Sequence, residues 1–391
     1  MNIAILIQEL GGGGAERAAS KLGNYYSERG HNVYYFLGDY HVRKRYQVTG
    51  KIVNTGVRSI LDLKGTEVLK VFESANRIRK LKRKYKIDVA VSFMEEFNYL
   101  NVLSRRNERV IVSVRTVLSK RKELENYSLL KPSILGVIYN KADWVVVQTE
   151  YALRDMKDVY RIKEKKMCII PNSCNCRELP SIHCDHADEP LKTIICVGRL
   201  HDVKQYNVAV KAFYIVHEKM KNVRLCILGE GEDKRKIEAM IEHGGLSEYI
   251  HLLKYQEDVT SFLRTSTVFL MTSKVEGFPN SMVEAMAEGL PVVATYSPGG
   301  IPEILGEIEE GCHAKYGILT PYALDDNYNI KKITKEEKML GEALTELLMS
   351  EELLTKYRKR SLQRARSYDI GKVMKKWDKV IFGTSAKTRQ R

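Results

Sequence analysis

The chain has 391 residues, enough for two domains that each bury a core. Hydrophobic residues make up 44% and charged residues 29%, the balance of a folded globular protein. No apolar run reaches the roughly 18 residues that a membrane-crossing helix needs. Lys and Arg outnumber Asp and Glu by 64 to 49, for a formal charge of +15. That excess favours an anionic partner, and with no nucleic-acid module motif in the chain, anionic lipid and phosphate rank above nucleic acid.

The opening MNIAILI is too short for a signal-peptide core, so a cytoplasmic chain, or one peripheral on a membrane face, is expected. Seven cysteines in such a chain read as reduced thiols. Asn2–Gln8 has the pattern of a buried strand, Glu9–Gly14 is a glycine loop and Ala15–Glu28 a helix. Strand, GGGG and helix together form either a plain tight turn or a backbone cradle for a phosphate or sugar at a helix N-terminus. The dinucleotide fingerprint is not met, because Glu16 stands where a third glycine is needed. Further strands are expected at Val33–Leu37, Val89–Phe93, Val110–Val114 and Trp144–Gln148, alternating with helices, the signature of a parallel doubly wound sheet.

Ser74–Lys86 is the most basic segment. Ile78, Leu81 and Tyr85 mark its apolar face, and Arg77, Arg79, Lys80, Lys82, Arg83 and Lys84 fill the rest. Either it is a solvated helix covering the sheet, or it docks on anionic lipid headgroups or a polyanionic acceptor. Ser113–Arg115 ends a strand with no histidine nearby, so a His general base from this loop is not expected. Ser119–Glu125 reads as a mobile charged loop.

A stretch of little periodicity after Ile169–Asn172 is the expected linker, at 176–190. Cys174, Cys176, Cys184, His183 and His186 fit no usual zinc spacing, and no metal site is expected. Leu191–Val197 is a strand leading into GRLHDVKQY and the helix Asn207–Glu218. Arg199 and Lys204, stacked at a helix N-terminus whose dipole already favours anions, are either ordinary surface charges or the two sides of a diphosphate site. Strand Val223–Leu228, GEGEDK, helix Arg235–His243, strand Ile250–Leu253 and a loop with Tyr255 follow. Val268–Thr272 and Val292–Thr295 then bracket a loop with Glu276, Gly277, Phe278 and Pro279 and a short helix from Ser281 to Glu288. Glu276 has no evident local partner. Glu284 has one, because Ser281-Met282-Val283-Glu284 reads as a capping box, which competes with ligand binding for that carboxylate. After a weak strand at Tyr316–Leu319, helices are expected at Lys335–Ser350, Glu352–Ser367 and Ile370–Phe382, before a basic tail that reads as disordered.

GRLHDVK, LGEGEDK and EGFPNSMVEAMAEGLPVVAT, in which Glu276 and Glu284 are separated by seven residues, together with LGGGGAERAA in the first loop, resemble glycosyltransferase family 4. The resemblance implies an α/β chain of GT-B fold, with two Rossmann-like, doubly wound domains facing a central cleft. They would be an acceptor-binding domain at 1–175, joined by the terminal helix 370–391, and a nucleotide-sugar-binding domain at 191–369. Arg199 and Lys204 would hold the donor diphosphate, Glu284 the ribose and Glu276 the donor sugar, with Gly277, Phe278, Asn280 and Ser281 lining the same loop. Gly13 and Gly14 would lie near the donor phosphates and the acceptor, and the loop around Tyr255 would meet the base through its backbone. Where many relatives carry a histidine, this chain has Ser113-Val114-Arg115, and Arg115 is a candidate for an acceptor phosphate.

The expected activity is retaining transfer from a nucleotide-sugar, UDP-linked by preference, without a metal or other cofactor. The expected acceptor is a polyprenyl-diphosphate-linked glycan at the inner face of the plasma membrane, reached through the basic helix. A small soluble acceptor and a catalytically silent scaffold are the alternatives.

Overall fold

The structure, a computed structural model, describes residues 1–38, 46–57, 68–125, 131–176 and 191–383. Nearly all of the expected linker, with Cys184, His183 and His186, and the tail beyond 383 lie outside the described residues. The chain forms two units, Met1–Ser173 with Gly371–Arg391, and Cys174–Ile370.

In the first unit, chain order is β1 (Asn2–Ile7), α1 (Gly14–Ser27), β2 (Asn32–Leu37), β3 (Lys51–Asn54), α2 (Val68–Lys84), β4 (Val89–Phe93), α3 (Glu95–Leu103), β5 (Arg109–Ser113), α4 (Leu118–Glu125), α5 (Pro132–Tyr139), β6 (Trp144–Val147), α6 (Glu150–Asp158) and β7 (Met167–Ile169). The strands form one parallel sheet in the order β3-β2-β1-β4-β5-β6-β7. Helices cover both faces of such a sheet, so the central strands NIAILI and VAVSF are near-continuous apolar runs rather than alternating. The strand order reverses between β1 and β4, and ligands of doubly wound sheets bind beyond the strand ends at this point. The short strands β3 and β7 fall in stretches not expected to form strands.

The terminal helix Ile370–Phe382 completes this unit by burying Val373, Met374, Trp377, Val380 and Ile381. Trp377 lies 6.4 Å from the Phe93 ring. Tyr26 donates to Asp378 at 2.8 Å, and Arg109 donates to the carbonyls of Val380 and Ile381 at 3.1 and 2.9 Å.

Two expectations are corrected here. Ser119–Glu125 lies in the helix α4, not in a mobile loop. The Ser119 backbone N–H is held by Asp155 at 3.2 Å, and Lys120 pairs with Glu123 one turn on at 2.7 Å. Lys82 does not belong to the exposed basic face of α2. It falls four residues after the buried Ile78, on the stripe that meets the sheet, and is 1% exposed. Its Nζ donates to the carbonyl and Oδ1 of Asn101 at 2.9 and 2.7 Å and to Glu108 at 2.8 Å. Burial pulls its pKa down to about 8, with Glu108 opposing the fall. Arg77, Arg79, Lys80, Arg83 and Lys84 remain exposed.

The second unit runs β8 (Lys192–Val197), α7 (Tyr206–Lys219), β9 (Val223–Leu228), α8 (Lys234–His243), β10 (Ile250–Leu253), α9 (Thr260–Arg264), β11 (Val268–Met271), α10 (Asn280–Ala287), β12 (Val292–Thr295), α11 (Gly300–Leu305), β13 (Ile308–Glu310), β14 (His313–Ala314), β15 (Gly317–Thr320), α12 (Lys335–Met349) and α13 (Glu351–Ala365). The sheet order is β10-β9-β8-β11-β12-β15-β14-β13, parallel up to β15 and closed by the antiparallel β13–β14 hairpin, which the sequence did not suggest. Here the order reverses between β8 and β11. On α7 the fully buried Lys211 pairs with Asp325 and, at 3.1 Å, with Glu337. Glu337 also completes a capping box with Thr334 at the start of α12.

Breaking the buried pair by Lys82→Ala should destabilise the fold by about 3–5 kcal/mol, because Glu108 is left buried and uncompensated, whereas Lys80→Ala on the exposed face should stay within about 0.5 kcal/mol. Equilibrium denaturation of the two variants checks this, and equal stabilities would refute the buried placement.

Candidate functional site

In the second unit, the loop after β8 is fixed by the loop after β9. Gly229 has φ +154°, and a Cβ there would come within 1.9 Å of the Gly198 carbonyl oxygen, so only glycine fits. Leu200 N–H donates to Glu230 O at 2.9 Å and Asp233 N–H to Leu200 O at 3.0 Å. GRL and GEG are therefore two halves of one backbone structure. A short 3₁₀ turn, Asp202–Lys204, follows, and Gln205 reverses the chain at φ 47° to start α7. Tyr206 is fully buried beneath this loop. Burial first, then the nearby Cys196 and Glu276, raise its phenol well above the ordinary value, so it stays neutral.

The loop after β11 is stitched to that turn. Thr272 Oγ1 donates to the carbonyls of Lys204 and Gln205, both at 2.9 Å, and Lys274 N–H donates to Val203 O at 2.7 Å. Lys204 Nζ pairs with Glu276 Oε1, which also accepts from Ser273 Oγ at 2.8 Å. Glu276 therefore has a local partner after all, three residues back in its own loop, besides the lysine from β8's loop. Its backbone is in turn pinned to the loop after β12, with Glu276 N–H on Pro298 O at 3.2 Å and Gly300 N–H on Glu276 O at 2.8 Å.

Lys274, which the sequence did not single out, is engaged within the site. Its ammonium bonds both oxygens of Asp202 at 2.9 and 2.8 Å and Asp326 at 2.6 Å. Burial opposes the charge, but these carboxylates outweigh it and hold the pKa above the ordinary lysine value. Arg199, by contrast, is exposed and makes no side-chain hydrogen bond or ion pair with the described residues.

The helix α10 begins at Asn280 with Pro279 as its N-cap, and no side chain caps it. Ser281 and Glu284 are then its second and fifth residues, too far in to form the expected capping box, which is absent. The Phe278 ring packs edge-on against Tyr368 at 5.2 Å in the core, so its side chain anchors the loop and only its backbone is available to a ligand. Gly277 is buried, and Asn280, Ser281 and Glu284 are partly exposed. Tyr255 is 42% exposed in the loop after β10, at the sheet edge two strands from β8.

In the first unit, Gly13 is the N-cap of α1 and Gly14 its first residue. The Glu16 carboxylate folds back so closely that a Cβ on Gly13 would lie 2.1 Å from its Oε2. Arg115, two strands away after β5, donates to Ser113 Oγ at 3.1 Å and to Asn172 Oδ1, with its guanidinium 5.3 Å from the Phe93 ring centroid. Its Nε is buried and hydrogen-bonds to none of the described residues. Burial pushes its pKa down and Glu16 supports the charge, which an arginine keeps in any case. At the end of β4, Met94 is held at φ 68° ahead of the buried Glu95 and Glu96. Residues held in such sparsely populated backbone conformations cluster at functional sites. Two adjacent carboxylates directly after a strand, in FMEEFN, were the signal for it in the sequence.

Comparison with known proteins adds a family. Residues 185–364 match the family described as glycosyl transferases group 1, and residues 12–178 match glycosyltransferase family 4. The chain is 29% identical over 342 residues to an uncharacterized glycosyltransferase of Methanocaldococcus jannaschii, covering 81% of this chain and 84% of that protein. It is 24% identical over 390 residues to the N-acetylgalactosamine-N,N'-diacetylbacillosaminyl-diphospho-undecaprenol 4-alpha-N-acetylgalactosaminyltransferase of Campylobacter jejuni, covering 97% and 99%. Among solved structures, the sucrose-phosphate synthase of Thermosynechococcus elongatus superposes with a TM-score of 0.75 at 17% identity, over 98% of this chain and 100% of that one. An Anabaena protein in complex with UDP does so with a TM-score of 0.74 at 15% identity, over 98% and 100%. The two family matches between them span most of the sequence and the structural likeness spans nearly all of it: the chain belongs to glycosyltransferase family 4 and has the GT-B fold.

Proposed function

We propose that this glycosyltransferase is a retaining enzyme that moves a sugar from a UDP-sugar to a polyprenyl-diphosphate-linked glycan in the synthesis of a cell-surface polysaccharide. The observation that carries this reading is the Lys204–Glu276 pair at the β8/β11 switch point, beside an Arg199 that has no other partner among the described residues. Arg199 grips the donor diphosphate through two parallel hydrogen bonds, and Lys204 serves it as a point charge. Glu276 holds Lys204. When the donor enters, Lys204 shifts to the leaving phosphate and Glu276 is released to the donor sugar's hydroxyls. Gly277 and Phe278 contribute backbone groups, Asn280 and Ser281 line the start of α10, and Glu284, not required as a cap, takes the ribose hydroxyls. The loop at Tyr255 meets the base.

Transfer breaks the bond between the anomeric carbon and the diphosphate oxygen, so negative charge grows on that oxygen. Cations already in place once the donor is bound stabilise it. The acceptor oxygen attacks from the same face, and its proton passes to the departing phosphate. Gly13 and Gly14 serve the acceptor, and Arg115 takes an acceptor phosphate. Arg199 and Lys204 supply the charge that a metal would otherwise bring, so the reaction is metal-independent.

The acceptor assignment draws support from the Campylobacter relative, whose name specifies a diphospho-undecaprenol substrate, and from the amylovoran biosynthesis glycosyltransferase AmsD of Erwinia amylovora, 24% identical over 94% of this chain. The outer face of α2 also supports it: Arg77, Arg79, Lys80, Arg83 and Lys84 continue from Leu69 and Phe72, which are 73% and 61% exposed. A basic stripe with an apolar tip suits an anionic membrane face, here the inner face of the plasma membrane.

Lys204→Ala and Glu276→Ala should each lower turnover at least about tenfold, about 1.4 kcal/mol of transition-state stabilisation. A folded Lys204→Ala protein with wild-type rates on a panel of UDP- and GDP-sugars would remove the diphosphate role. Exhaustive dialysis against EDTA should leave turnover unchanged, and a loss restored by a divalent cation would overturn metal independence. Vesicles containing anionic lipid should sediment the wild-type protein but not a variant with Arg79, Lys80 and Arg83 changed to Glu. Wild-type protein that stays in the supernatant would favour a soluble acceptor.

A further inference from the structure

We infer that His201 is a positioning residue: its unprotonated Nδ1 fixes the Asp202–Lys204 turn in the shape that presents Lys204, so that donor binding weakens when the imidazole takes up a proton. This rests on the reading above that Lys204 engages the donor diphosphate.

The turn is short and tightly wound. His201 N–H donates to Arg199 O at 2.9 Å, Lys204 N–H to His201 O at 2.8 Å and Gln205 N–H to Asp202 O at 3.1 Å. Within it, Val203 N–H donates to the His201 ring at Nδ1, at 3.2 Å, so the imidazole does the work that Asp, Asn or Ser does at a helix start. The carbonyl of the same Val203 accepts from Lys274 N–H at 2.7 Å. The ring therefore acts on a residue whose other end ties the turn to the loop carrying Ser273 and Glu276, the two groups that receive or steady Lys204.

The second ring nitrogen sets the tautomer. Nε2 lies 3.3 Å from Glu232 Oε1, on the loop after β9. Both contacts are satisfied by one form only, with the proton on Nε2 donated to Glu232 and the lone pair on Nδ1 accepting from Val203. A second proton puts an N–H against an N–H. It also strengthens the attraction to Glu232, so the imidazolium keeps Glu232 and gives up Val203.

The other charges around the ring are already engaged. Asp202 is held by Lys274, Lys204 by Glu276, and Asp233 by Lys236 at 2.8 Å, which leaves Glu232 as the carboxylate that decides where the imidazolium goes. Arg199, directly before the turn, opposes the extra positive charge. The sign follows: the neutral ring caps the turn, and the imidazolium does not.

The test measures UDP affinity by calorimetry from about pH 5.5 to 8 for the wild type, His201→Ala and His201→Asn. Asn offers an oxygen to Val203 N–H and does not titrate. At the alkaline end Ala should bind UDP about five- to tenfold more weakly than wild type, the usual cost of losing such a cap, and Asn should come within about twofold. Toward acid the ratio of wild-type to Asn affinity should fall, a comparison in which protonation of UDP itself cancels. Wild-type affinity in the Ala variant, Asn no better than Ala, or a ratio that rises toward acid because the imidazolium binds the diphosphate, would each overturn the proposal. Hydrogen exchange at the Val203 amide separates this failure from that of the underlying reading. Exchange accelerated in Ala and restored in Asn, alongside a Lys204→Ala protein that binds UDP normally, would uphold the cap and refute the diphosphate site.

Discussion

The site in the second unit depends on a weave of backbone hydrogen bonds between loops that leave neighbouring strands. The β8 loop is bonded to the β9 loop at Leu200 and Glu230, and to the β11 loop at Val203 and Lys274. The β11 loop is bonded in turn to the β12 loop at Glu276, Pro298 and Gly300. Each loop alone is short and would sample many shapes. Tied together, they fix where side chains of opposite charge meet, and Lys204 and Glu276 come together from loops 72 positions apart in sequence. Catalysis by electrostatic preorganisation needs this kind of support, because a charge that must be moved into place at the moment of reaction loses much of its benefit.

The chain's large positive charge divides into two populations. Lys82, Lys211 and Lys274 are withdrawn from solvent and matched one by one with Glu108, with Asp325 and Glu337, and with Asp202 and Asp326. They hold elements together, and removing Lys82 or Lys211 would strand the buried Glu108 or Glu337. The outer face of α2 and Arg199 belong to the second population, which is exposed and keeps its charge in water. The net figure of +15 hides this distinction. Arg199 is the exposed cation that lies at the switch point of the second unit's sheet.

The doubly wound architecture was legible because buried parallel strands are written as unbroken apolar runs, and those at β1, β4, β8, β11 and β12 were long or clear enough to stand out. The strands of three or four residues at β3 and β7 were not, since so short a run carries no periodicity. Lys204 and Glu276 stood out in the sequence as parts of a motif, but their partners did not. Ser273 and Lys274 are unremarkable in a list of residues and acquire meaning only when Lys204 and Asp202 are folded over them. The Ser281–Glu284 capping box failed because Pro279 starts the helix two residues earlier than the box requires, so a correct local rule was applied in the wrong frame. Lys82 was misplaced for a similar reason: six basic residues in eight positions drew the eye to charge, while the 3.6-residue period put one of them inside.

The terminal helix has a consequence for the order in which the protein is made. It supplies Trp377, Val373 and Ile381 to the interior of the first unit, yet it leaves the ribosome only after the whole of the second unit. The second unit contains everything its own sheet needs and can close while synthesis is still under way. The first unit, although synthesised earlier, has to keep part of its apolar surface uncovered until this helix arrives. The nascent protein is therefore most exposed to aggregation and proteolysis in the part translated first, and a ribosome that stops short of this helix leaves behind a molecule whose second unit is intact and whose first unit is open.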